Sequence, residues 1–274
     1  MFRILAFIMM IFAVMADSRL ALGSDWSQWL GTDRNGITPE NSGYPAGWPP
    51  KKLWTKNVGK GCTSPIMVGG KIYVMGWQGE GDLNNNPVGI DTIYCLDAKT
   101  ATELWKQTYP CRYQGRLRAG DEGAYGGPSS TPTFDSKTSY LYTLSIDEVS
   151  LKGATEKWRV RDFSQVGSPI IYNGYIYIVS GSLKCLDINN GQRKWQGGDF
   201  EHGSCLITAG DNKVIVFGNG QLVLVEASPS DGQYHELSSV KEIVPDICYP
   251  HIALSNGVIC CKDKSGNMVC FSVR

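Results

Sequence analysis

Apolar and polar residues alternate along most of this chain in short runs, and one pattern recurs at intervals of roughly 45 residues. It reads Ile-Tyr-Cys-Leu-Asp-Ala-Lys-Thr-Ala-Thr-Glu-Leu-Trp at 93–105 and Leu-Lys-Cys-Leu-Asp-Ile-Asn-Asn-Gly-Gln-Arg-Lys-Trp at 183–195. Each copy predicts a strand, a turn opened by Asp, and a second strand that carries Trp. A Ser-Pro-Ile hairpin precedes each copy, at 64–74 and 168–178, so one unit is a four-stranded antiparallel meander with strands A to D.

The repeats predict an all-β propeller of five four-stranded blades, because a unit this small must stack on its neighbours to bury its apolar face. The last unit, 248–274, supplies strands A to C only, while the orphan segment 52–58 resembles a D strand. We therefore expect 52–58 to pair with 267–273 and to close the ring, which removes exposed sheet edges. The D-strand aromatic residues are Trp54, Trp105, Trp158, Trp195 and Tyr234. Of these, Trp105, Trp158 and Trp195 are expected to pack between blades and not to contact a cofactor.

Residues 1–23 have the pattern of an export signal, with Arg3, an apolar stretch at 4–16 and small residues at 21–23. A retained anchor is the alternative, although the apolar stretch is short for a membrane span. We expect residues 24–274 to form a single domain that is exported to the periplasm or secreted, with no stable membrane span after cleavage. The 26 basic residues balance 26 acidic ones, which argues against a nucleic-acid partner.

The chain has nine cysteines, and the repeat accounts for several of them as packing residues. Cys95, Cys185 and Cys270 share one slot of the C strand. Adjacent strand residues point to opposite faces, so we expect Cys260 and Cys261 to be two independent thiols. Whether the cysteines in or beside loops form disulfides stays open; these are Cys62, Cys111, Cys205 and Cys248.

The units at 64–74 and 94–105, with their copies, resemble the pyrroloquinoline-quinone-type (PQQ-like) β-propeller repeat. The start of the predicted domain, Asp-Trp-Ser-Gln-Trp-Leu-Gly at 25–31, resembles exported, uncharacterised members of that group. The resemblance implies the propeller fold. For function it implies either a quinone-dependent dehydrogenase, with PQQ held by calcium on the propeller axis, or a non-catalytic subunit like the propeller of outer-membrane β-barrel assembly.

No known catalytic or phosphate-binding motif occurs in the sequence, and the three histidines are too widely spaced to predict a metal site. We therefore predict no catalytic residues, no metal site and no cofactor. The favoured function is an exported, non-catalytic binding or scaffold module, with a protein or carbohydrate partner. The alternative is a degenerate PQQ-dependent oxidoreductase of alcohols or sugars, which alone would need PQQ with calcium.

Alternating strand directions place the B–C and D–A connections on one end of the propeller, called here the B–C/D–A face. Two long connections, 75–92 and 109–128, are expected to meet there as loops, and loops on a rigid scaffold often bind partners. The other possibility is that they only cover the first blade. The candidate binding residues are Trp77, Asp82, Arg112, Tyr113, Arg116, Arg118, Asp121, Glu122 and Tyr125.

Overall fold

A computed structural model describes residues 24–80, 88–112, 128, 131–135, 140–142, 168–227 and 231–274. Every regular element in these ranges is a β-strand. The described residues contain no helix that is long and apolar enough to cross a membrane. The strands form one two-stranded, one three-stranded, two four-stranded and one five-stranded sheet, and this all-β architecture of mainly antiparallel sheets fits a β-propeller. The predicted signal segment, 1–23, lies outside the described residues, as does Trp158.

Five sheets are numbered here in the order of their A strands. Sheet I contains β3 (Ile66–Val68), β4 (Lys71–Glu80), β5 (Val88–Asp97) and β6 (Glu103–Arg112); sheet II contains β7 (Thr133–Asp135) and β8 (Tyr140–Tyr142). Sheet III contains β9 (Ile170–Tyr172), β10 (Tyr175–Asp187) and β11 (Arg193–Glu201). Sheet IV contains β12 (Ser204–Thr208), β13 (Lys213–Gly218), β14 (Gln221–Glu226) and β15 (Glu236–Val240), with β1 (Ile37–Thr38) at its edge. Sheet V contains β16 (Ala253–Ser255), β17 (Val258–Lys262), β18 (Asn267–Ser272) and β2 (Lys51–Asn57).

Strand β2 pairs antiparallel with β18, from Asn57 opposite Asn267 to Lys51 opposite Ser272. The pairing predicted between 52–58 and 267–273 is therefore confirmed, within a residue at each end. Residues separated by more than two hundred positions share one sheet because β18 would otherwise expose an unpaired edge.

The apolar side chains form cores between neighbouring sheets. The largest core joins sheets I, IV and V, a second joins III and IV, and a small third one joins I and II through Tyr73, Cys95 and Phe134. Strands β12 to β14 of sheet IV are buried on both faces, and successive side chains alternate between two cores: Leu206 faces the first core whereas Ile207, its neighbour, faces the second.

The conserved spacing of Cys and Trp within the repeat corresponds to a direct cross-strand pair. Cys95 lies opposite Trp105, Cys185 opposite Trp195, and Cys270 opposite Trp54. In sheet IV the partner of Leu224 is Ser238, and Tyr234 precedes β15. The assignment of Tyr234 to the D-strand slot was therefore wrong. The Tyr234 ring packs on sheet III, with its centroid 6.0 Å from that of the Trp195 ring.

Trp105 of sheet I and Trp195 of sheet III occupy the same repeat slot but differ in burial. Trp195 is 4% exposed, between the rings of Tyr177 and Tyr234, as expected for a residue that packs between blades. Trp105 is 44% exposed, so the expectation of burial is wrong for this copy. Its ring contacts Tyr73 at a centroid distance of 6.0 Å on one side only.

Cys260 and Cys270 form a disulfide, which corrects the prediction that both are packing thiols. They are directly opposed on β17 and β18, with Cα atoms 4.3 Å apart. In sheet I the same two slots hold Tyr73 and Cys95, which lie directly opposite each other. Sequence analysis missed the disulfide because a tyrosine fills the Cys260 slot in the other copies. Cys261 remains a buried thiol, and so do Cys205 and Cys248.

The segment 24–48 crosses the end of the molecule opposite the B–C/D–A face and reaches the inner strand or first turn of every sheet. Trp26 exchanges two backbone hydrogen bonds with Met67 of sheet I, and the Ser27 carbonyl accepts one from Phe134 of sheet II. Gly36, at φ 74°, lies so close to the Ile170 side chain of sheet III that a Cβ would collide with it. Strand β1 pairs in parallel with β12 of sheet IV, and Glu40 binds the first turn of sheet V, as described below.

Candidate functional site

The inner strands are linked to one another on the B–C/D–A face by hydroxyl side chains. The Ser64 hydroxyl accepts a hydrogen bond from the His251 backbone N–H at 2.8 Å, and the Ser204 hydroxyl accepts one from Ile252 at 3.2 Å. Thr131 Oγ1 accepts the Ser64 N–H at 3.1 Å. Because each bond joins two different sheets, these residues fix the inner strands of sheets I, II, IV and V relative to one another at this end.

An aromatic and imidazole cluster lies beside these hydroxyls. The Trp29 ring meets the His251 ring edge to face, with centroids 5.5 Å apart. Trp29 is 43% exposed, whereas His251 is 7% exposed, and its Nδ1 has no hydrogen-bond partner among the described residues. Burial lowers the pKa of His251 to about 4, so its imidazole is neutral at pH 7. This arrangement presents a flat apolar ring to solvent above a neutral, buried imidazole.

A second ring pair, His202 with Tyr249, has centroids 5.5 Å apart and lies where the D–A connections enter sheets IV and V. His202 Nδ1 is buried, also with no hydrogen-bond partner in the described part of the chain. The sequence contained a signal for both histidines, since each one comes just before an A strand.

A cleft of about 510 Å³ opens on the same face beside sheet IV. It lies between the β13–β14 turn and the connections that precede β12 and follow β15, so B–C and D–A connections do meet at one end. Glu201 and Glu242 are exposed at its rim. Its lining consists of Glu201, Asn219, Gly220, Gln221, Lys241, Glu242, Val244, Pro245, Asp246 and Ile247.

Asp246 anchors one wall of this cleft. Burial by itself would raise the pKa of Asp246, but hydrogen bonds from Ser265 and the Ile247 N–H, together with the Lys264 ammonium, outweigh burial and hold the pKa below its ordinary value. Lys264 Nζ lies 3.5 Å from the carboxylate. The cleft has more acidic than basic side chains, and its rim therefore favours a positively charged group on a partner.

Lys262 is a buried cation that sequence analysis did not single out, although its place after two cysteines in an apolar strand was a signal. It is 0% exposed, and its ammonium donates to the Gly61 carbonyl. Burial lowers the pKa of Lys262 to about 8. Since no solvent reaches the amine, we assign it the structural role of holding the linker between β2 and β3 against β17.

The structure places two of the predicted binding residues in strands rather than loops. Strand β4 continues to Glu80 and β5 begins at Val88, while β6 runs to Arg112. The expected loops at 75–92 and 109–128 were therefore too long, since residues 75–80, 88–92 and 109–112 extend the meander of sheet I.

Trp77 is 3% exposed in β4, so its side chain lies inside the molecule and not on the surface. Its ring covers Gly79 and Gly89, where a Cβ on either glycine would collide with the indole. Lys60 Nζ lies 5.9 Å from the ring centroid on the side of the D–A connection. Arg112 ends β6. The remaining predicted residues lie outside the described residues: Asp82, Tyr113, Arg116, Arg118, Asp121, Glu122 and Tyr125.

Comparison of the sequence with protein families finds a match to the family of outer membrane protein assembly factor BamB over residues 91–274. No curated protein matches the sequence significantly.

Solved structures similar to the chain include BamB from Moraxella catarrhalis, with a TM-score of 0.32 and 9% identity; the match covers 76% of this chain and 66% of that one. A mitotic checkpoint complex has a TM-score of 0.34 and 9% identity over 82% of this chain and 92% of that chain. The computationally designed Ika8 protein has a TM-score of 0.22 and 11% identity over 77% of this chain and 70% of that chain. These scores are too low to carry a structural argument, and the family assignment depends on the sequence match. Since that match covers most of the sequence and the repeats agree with it, this chain belongs to the PQQ-like repeat family of the outer membrane protein assembly factor BamB.

Proposed function

We propose that this chain is an exported, non-catalytic propeller of five blades that binds a protein partner through its B–C/D–A face. The pairwise cores support a ring in the order II, I, V, IV, III, since neighbours in this order share buried side chains. The pairing of β2 with β18 supports closure of the last blade. The signal pattern at 1–23 supports export, with 24–274 as one domain in the periplasm or outside the cell.

The choice of the B–C/D–A face as the binding surface rests on the path of the segment 24–48. It covers the inner strands at the opposite end, through the contacts of Trp26, Ser27 and Glu40, so the chain itself occupies that end of the axis. The B–C/D–A face retains the acidic cleft of sheet IV. Trp29 is the one residue of the segment 24–48 that we place toward this face, because its partly exposed ring contacts His251 just before β16. Aromatic rings beside charged rims are typical of protein interfaces.

The family is that of an outer membrane protein assembly factor, and this favours a protein over a carbohydrate as the partner. An acidic cleft rim would complement lysine or arginine side chains of that partner. Electrostatic complementarity of this kind mainly accelerates association, so binding should weaken as the salt concentration rises.

The residues described do not fit a calcium-held quinone. The quinone-dependent relatives that the resemblance implies hold the cofactor below a disulfide between adjacent cysteines. Cys260 is bonded to Cys270 on the neighbouring strand, so it does not form such a bond with Cys261. Among the described residues, no three carboxylate, imidazole or thiol side chains group together as metal ligands. We therefore derive no reaction through PQQ. The alternative function, a PQQ-dependent oxidoreductase, is tested directly in the second arm of the experiment below.

The test is site-specific photocrosslinking of the full chain in its native host. A photoreactive residue replaces Lys241 in the cleft, and a matched one replaces Lys99, which is exposed in the β5–β6 turn on the opposite face. We expect a discrete protein adduct from position 241 and none from 99.

The converse result, an adduct at 99 and none at 241, would overturn the choice of face. A second arm mixes the purified chain with PQQ and calcium and measures quinone absorbance after desalting and dye reduction with alcohols or aldoses. Stoichiometric quinone retention with turnover would replace the proposal with the oxidoreductase.

A further inference from the structure

Glu40 is a buried carboxylate in the segment 24–48, and both of its oxygens accept hydrogen bonds. Oε1 accepts hydrogen bonds from the backbone N–H groups of Asn256 at 2.8 Å and Ser24 at 2.9 Å, and Oε2 accepts one from Gly257 at 2.9 Å. The residue is 3% exposed. Its ion-pair partner among the described residues is the Arg274 guanidinium, 3.9 Å away on a side chain that is 59% exposed. Three neutral donors and a distant cation thus surround a buried negative charge.

The Ser24 nitrogen is held in place from a second direction. The Ser24 hydroxyl and Thr38 Oγ1 are hydrogen-bonded at 2.8 Å, and Thr38 is 1% exposed. Two contacts therefore fix the backbone of Ser24 against strand β1 and aim its nitrogen at the carboxylate. The position matters because the small residues that predict signal cleavage end at position 23.

We infer that removal of residues 1–23 turns the Ser24 nitrogen into an α-ammonium group that binds Glu40, so that export processing itself completes the fold at this end of the molecule. The inference rests on the export proposed above. Hydrolysis by a signal-peptidase-type enzyme adds the hydroxyl of water to the carbonyl carbon of residue 23 and a proton to the Ser24 nitrogen. The amine then takes a further proton from solvent at neutral pH. A neutral donor 2.9 Å from a buried carboxylate thereby becomes a charged donor at the same place.

The energetic consequence is a coupling between processing and Glu40. An uncompensated buried carboxylate is unfavourable, and a directly bound cation offsets that cost. The structure already provides the geometry, so the new charge needs no rearrangement to bind. We expect processing to raise the folding equilibrium constant roughly tenfold through this contact.

The experiment compares four proteins: the full chain with and without Glu40→Gln, each produced with export and in the cytosol, where 1–23 stays attached. Intact mass gives the first residue of the exported protein, expected to be Ser24. Urea unfolding then measures whether processing stabilises the wild type more than the variant, by the roughly tenfold factor. Asp25→Asn is the matched control, because the Asp25 carboxylate binds the Gly69 N–H on the first turn of sheet I. It should leave the effect of processing unchanged.

A pH series on the two exported proteins alone provides a second measurement if the precursors aggregate. The stability advantage of wild type over Glu40→Gln should shrink as the pH rises through the titration of the amine, from about 8 upward. An advantage that is flat from pH 7 to 10, equal effects of processing on both proteins, or a first residue other than Ser24 would each overturn this inference while leaving export intact. An exported chain that keeps residues 1–23 as a retained anchor would also overturn this inference and leave export intact. A chain that stays in the cytosol despite the signal pattern would refute the export proposal, and this inference with it.

Discussion

Two tryptophans in the same repeat slot should differ sharply in their contribution to stability. Trp195 is 4% exposed and lies between the rings of Tyr177 and Tyr234, each at a centroid distance of 6.0 Å. Trp105 faces the same backbone environment, opposite a cysteine, but is 44% exposed. Replacing each by alanine therefore tests burial with the strand position held constant.

The expected magnitudes follow from the buried area. A fully buried Trp→Ala change costs about 3–5 kcal/mol, because it combines lost apolar transfer with a cavity. Trp195→Ala should fall in that range. Trp105 buries roughly half as much of its ring and leaves no closed cavity, so Trp105→Ala should cost about 1–2 kcal/mol.

Urea unfolding followed by far-UV circular dichroism measures both variants without depending on tryptophan fluorescence, and an unchanged m-value shows that the comparison is valid. Trp195→Phe, which keeps a ring between the two tyrosines, should restore most of the loss. Equal losses in the free energy of unfolding for the two alanine variants would refute the reasoning, because burial between sheets would then not explain the contribution of Trp195 to stability.

Two further predictions concern buried groups. The Cys260–Cys270 disulfide closes a loop with a sequence separation of 10, and its reduction should lower the free energy of unfolding by about 2–3 kcal/mol. The control is Cys261→Ala, which removes the neighbouring thiol and should leave the effect of reductant unchanged. A wild-type protein whose stability does not change with reductant would contradict the stabilising role of the disulfide. Because burial lowers the folded-state pKa of His251 to about 4, the unfolded state binds an extra proton as the pH falls from about 6.5, and stability should drop by on the order of 2–3 kcal/mol by pH 4. His251→Phe should remove that part of the acid dependence, and identical pH profiles for both proteins would show that His251 is not buried in the neutral form.

Period-two alternation and turn residues were sufficient to predict the strand order and much of the register. The cross-strand pairs of Cys95 with Trp105 and Cys185 with Trp195 follow from a turn of fixed length, which is a local property. The pairing of β2 with β18 was predictable for a different reason, because an incomplete unit at each end of a repeat array leaves complementary edges.

The candidate site was predicted less well. The glycine-rich sequence around Trp77 resembles a loop, yet Gly79 and Gly89 are strand residues that make room for the indole. The cleft of sheet IV draws its walls from segments that are far apart in sequence, such as Glu201 and Asp246. No local pattern marks residues that meet only after the sheets have packed.

The sequence by itself determined the all-β repeat, the family and the strand that completes the last sheet, since these depend on local periodicity and on counting units. Only the tertiary structure decided that 24–48 covers one end of the molecule, that Cys260 bonds to Cys270, and that Glu40 holds the Ser24 nitrogen. The physical reason is that such contacts depend on distances between segments that are remote in sequence. Their chemistry, a buried charge or a thiol opposite a thiol, becomes specific only when the fold brings the partners together.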